Sequence, residues 1–342
     1  MITDKHPRLL VTKILPPRLT PGLIDRPRLL ALINQVQMKR LTVIKAAAGF
    51  GKTCLAVAWA ERLRQSGNPV AWLSLDDDDD EPTRFLFYVA HVLQNVCNGA
   101  GEPAIGLINE IFLVRPQTIV STLINNLADV DDEVYLFLDD YQWATHRGIH
   151  ESVSFLLANA PSNFHLVLTT RSEPPLRLAR LRAQNQLLEI DVSALRFDFD
   201  EMVQFLEHER LGGLTSSELR TLHEKTEGWP AVMRILVSTT SLSGQKFRHY
   251  VPRLTGVPRP INSYLSEMLD SLPDEMAQFM LRTAVLDRLS APLCQAVTGV
   301  KSSQDLLLSI ATKRLLLVPL DQEGLWYRYH ALLVPRVVHN AG

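Results

Sequence analysis

Lys52 and Thr53 are the first residues whose types and spacing point to chemistry. They close the loop in LTVIKAAAGFGKTCLAVAWA, residues 41–60, where an apolar run gives way to small residues and then to Gly51-Lys52-Thr53. Such a loop can hold a phosphate chain. Consecutive backbone N–H groups turn inward, a lysine meets the β- and γ-phosphate charge, and the next hydroxyl takes Mg²⁺. Ala48, Gly49, Phe50 and Gly51 would supply the amides, Lys52 the ammonium and Thr53 the hydroxyl, with Cys54 following in the first helical turn. Ala46 stands where such a loop commonly opens with glycine; a methyl group is tolerated there if the turn keeps φ negative. Gly51 is the spacing-critical glycine, because a side chain there would obstruct the approach of backbone to phosphate. The alternative is a glycine-containing strand-to-helix turn followed by a surface lysine.

A second acidic constellation stands in VYLFLDDYQW, where five apolar residues run into Asp139 and Asp140. At the end of a buried strand, a first carboxylate suits magnesium and a second suits orientation of the attacking water. Asp139 is assigned to the metal and Asp140 to water activation; two capping or solvated aspartates are the competing explanation. Lys52 and Asp139 are expected at the tips of neighbouring strands. The run ending LVLTTRSEPP places Arg171 beyond the strand next to the acidic one, where a guanidinium can neutralise the γ-phosphate. A structural ion pair with a nearby carboxylate is the other role open to Arg171.

These residues need a scaffold. Short apolar runs at 41–46, 70–75, 134–139, 164–170 and 187–190 alternate with helix-periodic stretches at 52–65, 83–97, 117–128, 149–160 and 176–184. Strands apolar throughout and separated by helices predict an α/β fold built on a parallel sheet, the architecture of a phosphate-loop NTPase. From about Phe199 the pattern turns helical, at 200–210, 216–225 and 229–240. A third block adds helices near 262–271, 274–285 and 303–313, then two apolar runs flanking the turn-like residues 321–324, which predicts a winged-helix-like domain. The expected organisation is an arm over 1–40, the α/β domain over 41–195, a helical domain over 196–242, a linker over 243–260 and the winged-helix-like domain over 261–342. Prolines 16, 17, 21 and 27 argue against continuous helix in the arm before about Leu29.

Bulk properties exclude several classes. With 35 Lys+Arg against 37 Asp+Glu, the formal net charge of −2 lacks the strong positive field of a dedicated nucleic-acid binder. Cys54, Cys97 and Cys294 have no metal-ligand spacing and are read as reduced thiols of a cytoplasmic protein. The amino terminus does not read as a secretory signal, and no apolar run is long enough to span a bilayer, so no membrane partner is expected. The acidic run 76–80 is expected to be a solvated turn leading into the helix at Pro82, and Cys54 a packed thiol. Trp143, Trp229 and Trp326 lie near the nucleotide motifs, but core packing is expected to account for each.

Together AAAGFGKT, LFLDDYQW, LVLTTRSEPPLRLARLRAQNQLLEI, LRFDFDEMVQFL, TEGWPAVM and WYRYHALL resemble the amino-terminal part of the MalT-like regulators. These are signal-transducing ATPases with numerous domains, and include the large ATP-binding LuxR-type transcription factors. The resemblance runs from about Lys13 to Leu333. It implies a switch in which ADP holds a resting monomer, ATP with an inducer favours self-association, and slow hydrolysis resets the state. It also implies that Pro230 of the GWP element packs against adenine, that His330 reaches the β-phosphate of ADP, and that Ile24 and Arg26 flank the base. A partly buried strand histidine is the other reading of His330. Inducer and DNA contacts are expected only through a helical-repeat sensor and a helix-turn-helix, neither of which these 342 residues contain. A small-molecule kinase and a nucleotide-dead scaffold remain the alternative functions.

Overall fold

The structure, a computed structural model, describes residues 9–19, 23–110, 114–240, 261, 263, 265–266, 272–312, 317–321 and 323–330. The chain divides into two compact units, one gathering most of the residues up to Ala194, the other Leu195 onward together with Pro21–Asp25 and Ala47–Gly51.

The first unit is built on a five-stranded sheet in the order β2-β3-β4-β1-β5. Its strands are β1 (Leu41–Lys45), β2 (Val70–Ser74), β3 (Val134–Asp139), β4 (Phe164–Thr170) and β5 (Leu187–Ile190). Every pairing is parallel. All residues of β3 and β4 are buried, as expected of strands covered on both faces by crossover helices. The expectation that the tips of β1 and β3 are neighbours is corrected: β4 lies between them, hydrogen-bonded to both. Strand order is set by which crossovers pack beside which, and apolar runs of equal strength do not encode it.

Helices Lys52–Gln65, Pro82–Val96, Pro116–Ala128, Arg147–Asn159 and Leu178–Ala183 alternate with these strands. Pro82 and Pro116 open their helices, where the missing N–H is no loss. The helix Glu102–Glu110 was not expected, because Pro103 and Gly106 mask its short apolar face. Its start is held by the Gln94 carboxamide oxygen, which accepts from the Gly101 and Glu102 amides at 3.0 and 2.9 Å. Lys13, on the short 3₁₀ turn Val11–Ile14, anchors the arm through Asp79 at 2.7 Å and Asp76 at 2.5 Å.

In the second unit, helices Phe199–His208 and Ser216–Thr226 each open on a reciprocal capping box, Asp198 with Glu201 and Thr215 with Glu218. The helix Pro230–Thr240 follows. Beyond it, helices Asp274–Thr283, Ala291–Thr298 and Ser303–Thr312 precede β6 (Leu317–Pro319) and β7 (Tyr327–Tyr329), which pair antiparallel as the hairpin reading requires. The helix Ala291–Thr298 was not expected; it is eight residues long and stops at Gly299, whose φ is 74°. The expected linker 243–260, most of the expected helix 262–271 and the apolar run after His330 lie outside the described residues. Among the described residues no helix is long and apolar enough to cross a membrane.

Candidate functional site

In the first unit the ends of β3 and β4 and the start of the helix Lys52–Gln65 converge on one carboxylate. Thr53 and Thr169 both donate their hydroxyls to Asp139 Oδ1, at 2.9 and 2.5 Å. The Asp140 amide donates to Thr169 Oγ1 at 2.9 Å, Gln142 Nε2 to Asp140 Oδ1 at 2.8 Å, and the Arg171 amide to Gln142 Oε1 at 3.1 Å. Asp139, Asp140 and Thr53 are thus brought into one network, which Arg171 joins through its backbone amide. Thr169 and Gln142 were missed, although the polar tip of LVLTT and the glutamine two places after Asp140 carry the signal.

The electrostatics are those of a buried mixed-charge site. Burial lowers the Lys52 ammonium to about 8, opposed by Asp140, aided by Arg171 and opposed again by Asp139. Burial also raises the Asp139 carboxyl, against the hydrogen bonds from Thr169 and Thr53 and the charge of Lys52. A desolvated lysine beside two carboxylates is poised to gain from a polyanion with a cation. Among the described residues no carboxylate lies within ion-pair distance of the exposed Arg171 side chain, so a structural pairing does not occupy it. Asp140 adopts the left-handed region at φ 57°, a conformation costly for aspartate and one that a surrounding network must hold.

The loop resolves the missing glycine. Ala46 is fully buried and extends the ladder of β1, its amide donating to Thr170 O at 3.2 Å, and its φ is not among the positive ones. Gly49 and Gly51 have φ of 79° and 80°, so two turns of the loop fall at glycines. An added Cβ at Gly51 meets nothing within 4 Å in the protein, so backbone conformation is what the fold itself demands there. Ala48, just ahead of Gly49, is half-buried, and so is Cys54, which is in no disulfide.

Within the second unit this loop is packed from the helical side. Phe50 stacks on Trp229, with ring centroids 5.3 Å apart and planes 6° apart, and the Ala231 amide donates to Gly49 O at 3.0 Å. Pro230 opens the helix Pro230–Thr240, one residue after Trp229. His330 is buried at the end of β7 and meets the Trp229 ring edge-on at 5.3 Å. Glu227 was not singled out in the sequence. Its carboxylate accepts from Arg328 at 2.7 and 3.1 Å and from Arg196 at 3.1 Å, and lies 3.9 Å from His330 Nε2. Arg26, half-buried just ahead of Pro27, belongs to the first unit, and Ile24 is half-buried two residues before it.

Two expectations need correction. The acidic run is not simply solvated: Asp79 is buried and held by Lys13 and by Arg84 at 3.3 Å, while Asp80 accepts from the Thr145 and His146 amides at 2.7 and 2.6 Å. Five adjacent carboxylates persist because cations and amides from distant segments divide them. Nor does core packing account for all three tryptophans. Trp229 is fully buried, but Trp143 and Trp326 are 41% and 42% exposed.

The parallel sheet, the helices after it and the terminal hairpin define the class: a phosphate-loop NTPase fold followed by helices and a winged helix. A solved structure of that fold, the Walker-type ATPase of Pyrococcus abyssi, superposes with a TM-score of 0.58 at 15% identity, over 93% of this chain and 96% of that one. Residues 265–335 match the MalT winged helix domain. Over nearly its whole length the chain is similar in sequence to transcriptional regulators named MalT. The HTH-type transcriptional regulator MalT of Vibrio cholerae is 30% identical over 323 residues, 93% of this chain and 35% of that protein. The serine/threonine-protein kinase PknK of Mycobacterium tuberculosis is also 30% identical, over 94% of this chain and 29% of that protein. The chain therefore spans about a third of the length of the curated relatives it matches.

Proposed function

We propose that the chain is the nucleotide-dependent switch module of a transcriptional regulator, binding ATP and ADP and hydrolysing ATP slowly in the cytoplasm. The observation that carries this reading is the meeting of Thr53 and Asp139 at 2.9 Å, with Lys52 buried in the same charge network. A hydroxyl and a carboxylate so placed are the hard oxygen ligands Mg²⁺ takes alongside phosphate, so the donor set fits that ion. The amides of residues 48–51 and the Lys52 ammonium would hold the phosphates. Mg²⁺, when held by Thr53 and Asp139, would supply positive charge to offset that of the phosphates.

In this reading Asp140, fixed by Gln142, orients the attacking water, and Arg171 neutralises charge on the γ-phosphate. The resemblance assigns Arg26, Pro230 and His330 to the nucleotide as well. Slow turnover suits a switch, whose signal is the lifetime of each nucleotide state and whose ATP form would favour self-association. Inducer and DNA recognition belong to segments outside this chain.

The test is to purify the chain, extract and identify its nucleotide, and compare molecular mass in ADP and ATP. Retained ADP in a monomer, with a larger species in ATP, supports the switch. Rapid turnover stimulated by a small acceptor would make it an ordinary kinase instead, and absence of nucleotide affinity would end the reading.

A further inference from the structure

The second unit holds a continuous set of contacts from the winged-helix strand β7 to the loop 47–51, and Glu227 stands at its centre. We propose that Glu227 is a positioning residue for this loop: its carboxylate fixes β7 and His330 beside Trp229, and Trp229 with Ala231 sets the conformation of Phe50 and Gly49. The loop's role as a phosphate cradle rests on the function proposed above, whereas the coupling itself stands on contacts within the protein.

Three features of Glu227 argue for this role. Its backbone is left-handed at φ 48°, a state a glutamate occupies only when its surroundings over-determine it. Its side chain is 8% exposed and engaged by both Arg328 nitrogens, the two-pronged geometry in which guanidinium and carboxylate bind most strongly. Arg196, ahead of the helical segment, takes the same Oε2 at 3.1 Å. Loss of the carboxylate would leave two guanidinia facing each other with no anion between them, so β7 would have to move.

From Glu227 the chain passes directly to the loop. Trp229 is buried between the face of Phe50 and His330, both at centroid separations of 5.3 Å. The helix Pro230–Thr240 has first-turn amides that no intrahelical carbonyl can satisfy, and the loop supplies an acceptor for one of them: Gly49 O takes the Ala231 amide at 3.0 Å. The loop carbonyl is in effect that helix's cap. A shift of β7 that tilts Trp229 must therefore either break this bond or turn the peptide between Gly49 and Phe50.

The experiment is amide hydrogen exchange on the full chain without nucleotide, comparing wild type with Glu227→Gln, Phe50→Leu and the double variant. Glu227→Gln should speed exchange at Ala231, the amide that Gly49 O accepts, about five-fold or more, although no atom of the loop or of that helix has been altered. Coupling is reciprocal, so Phe50→Leu should speed exchange at the Tyr327 amide of β7, which donates to Leu289 O at 2.9 Å in the intact protein. The double variant should exchange no faster than the faster single one. Ile310→Val, a core cut in the same domain, should leave the Ala231 amide unchanged. If Glu227→Gln loosens β7 but not the Ala231 amide, or if Ile310→Val loosens that amide equally, the proposal is overturned. Should Glu227→Gln fail to fold, Phe50→Leu decides the matter alone: unchanged exchange at Tyr327 overturns it. Because no nucleotide is present, a chain that binds none would remove the proposed function while leaving this result intact.

Discussion

The Thr53 hydroxyl donates to Asp139 at 2.9 Å although 86 positions separate the two residues and a whole strand, β4, lies between the strands that lead to them. Thr169 on that intervening strand completes the contact by donating to the same oxygen. Two strand ends and one helix start therefore share one carboxylate, and its charge should matter more than its shape. Asp139→Asn is expected to keep the fold and lower Mg²⁺-dependent ATP affinity about ten-fold or more, with little change in ADP affinity measured without metal. Titration of both nucleotides with and without Mg²⁺ checks this; equal losses in the two conditions would show that Asp139 acts on the fold and not on the cation.

Asp140 offers a cleaner separation of chemistry from stability. Asparagine tolerates the left-handed region at least as well as aspartate and its Oδ1 can still accept from Gln142, but it carries no charge. Asp140→Asn should change stability by no more than about 0.5 kcal/mol, while ATP turnover falls about 100-fold. Unfolding by denaturant and single-turnover hydrolysis measure the two halves. Unaltered turnover would remove Asp140 from the chemistry.

Much of this site is legible in the sequence because its members are local: 46–54 is one loop and the helix start after it, and 139–142 one strand end. What stays hidden is whatever the sheet order decides. The polar tip of LVLTT is visible, but that Thr169 binds Asp139 is not until β4 is known to lie between β1 and β3, and nothing in TEGWP marks Glu227 until Arg328, 101 positions later, is brought to it. The acidic run misleads for the same reason, since Lys13, which takes both Asp76 and Asp79, stands 63 positions before Asp76 in the chain. Helix Glu102–Glu110 is concealed locally, by a proline and a glycine that a start held by Gln94 can absorb.

Gly228 is constrained by both conformation and space. Its φ is 65°, and an added Cβ would lie 2.2 Å from Phe197 O and 3.1 Å from Phe197 N. Phe197 cannot simply retreat, because its amide donates to Gly228 O at 2.7 Å. Gly228→Ala should therefore cost about 3 kcal/mol or more, well above the ordinary glycine-to-alanine change in a loop. An unfolding free energy from denaturant titration within about 1 kcal/mol of wild type would show that the two segments part readily.

The pH dependence of the second unit follows from His330. Burial is the main cause that lowers its imidazole from 6.5 to about 4, and Arg196 and Arg328 act in the same direction. Glu227 opposes them from 3.9 Å, but its carboxylate is already claimed by those two arginines and does not reverse the shift. Since the unfolded chain takes up the proton more readily than the folded one, the neutral ring contributes stability that is complete above pH 6.5 and is lost as pH falls toward 4. Between about pH 7 and about pH 4.5 the loss from this group should reach about 2 kcal/mol. His330→Phe keeps an aromatic ring against Trp229 without the titration, so its unfolding free energy should fall less than wild type over that interval, by about the same amount. Parallel pH profiles for the two proteins would mean that the imidazole is solvated and protonates without strain, contrary to its burial.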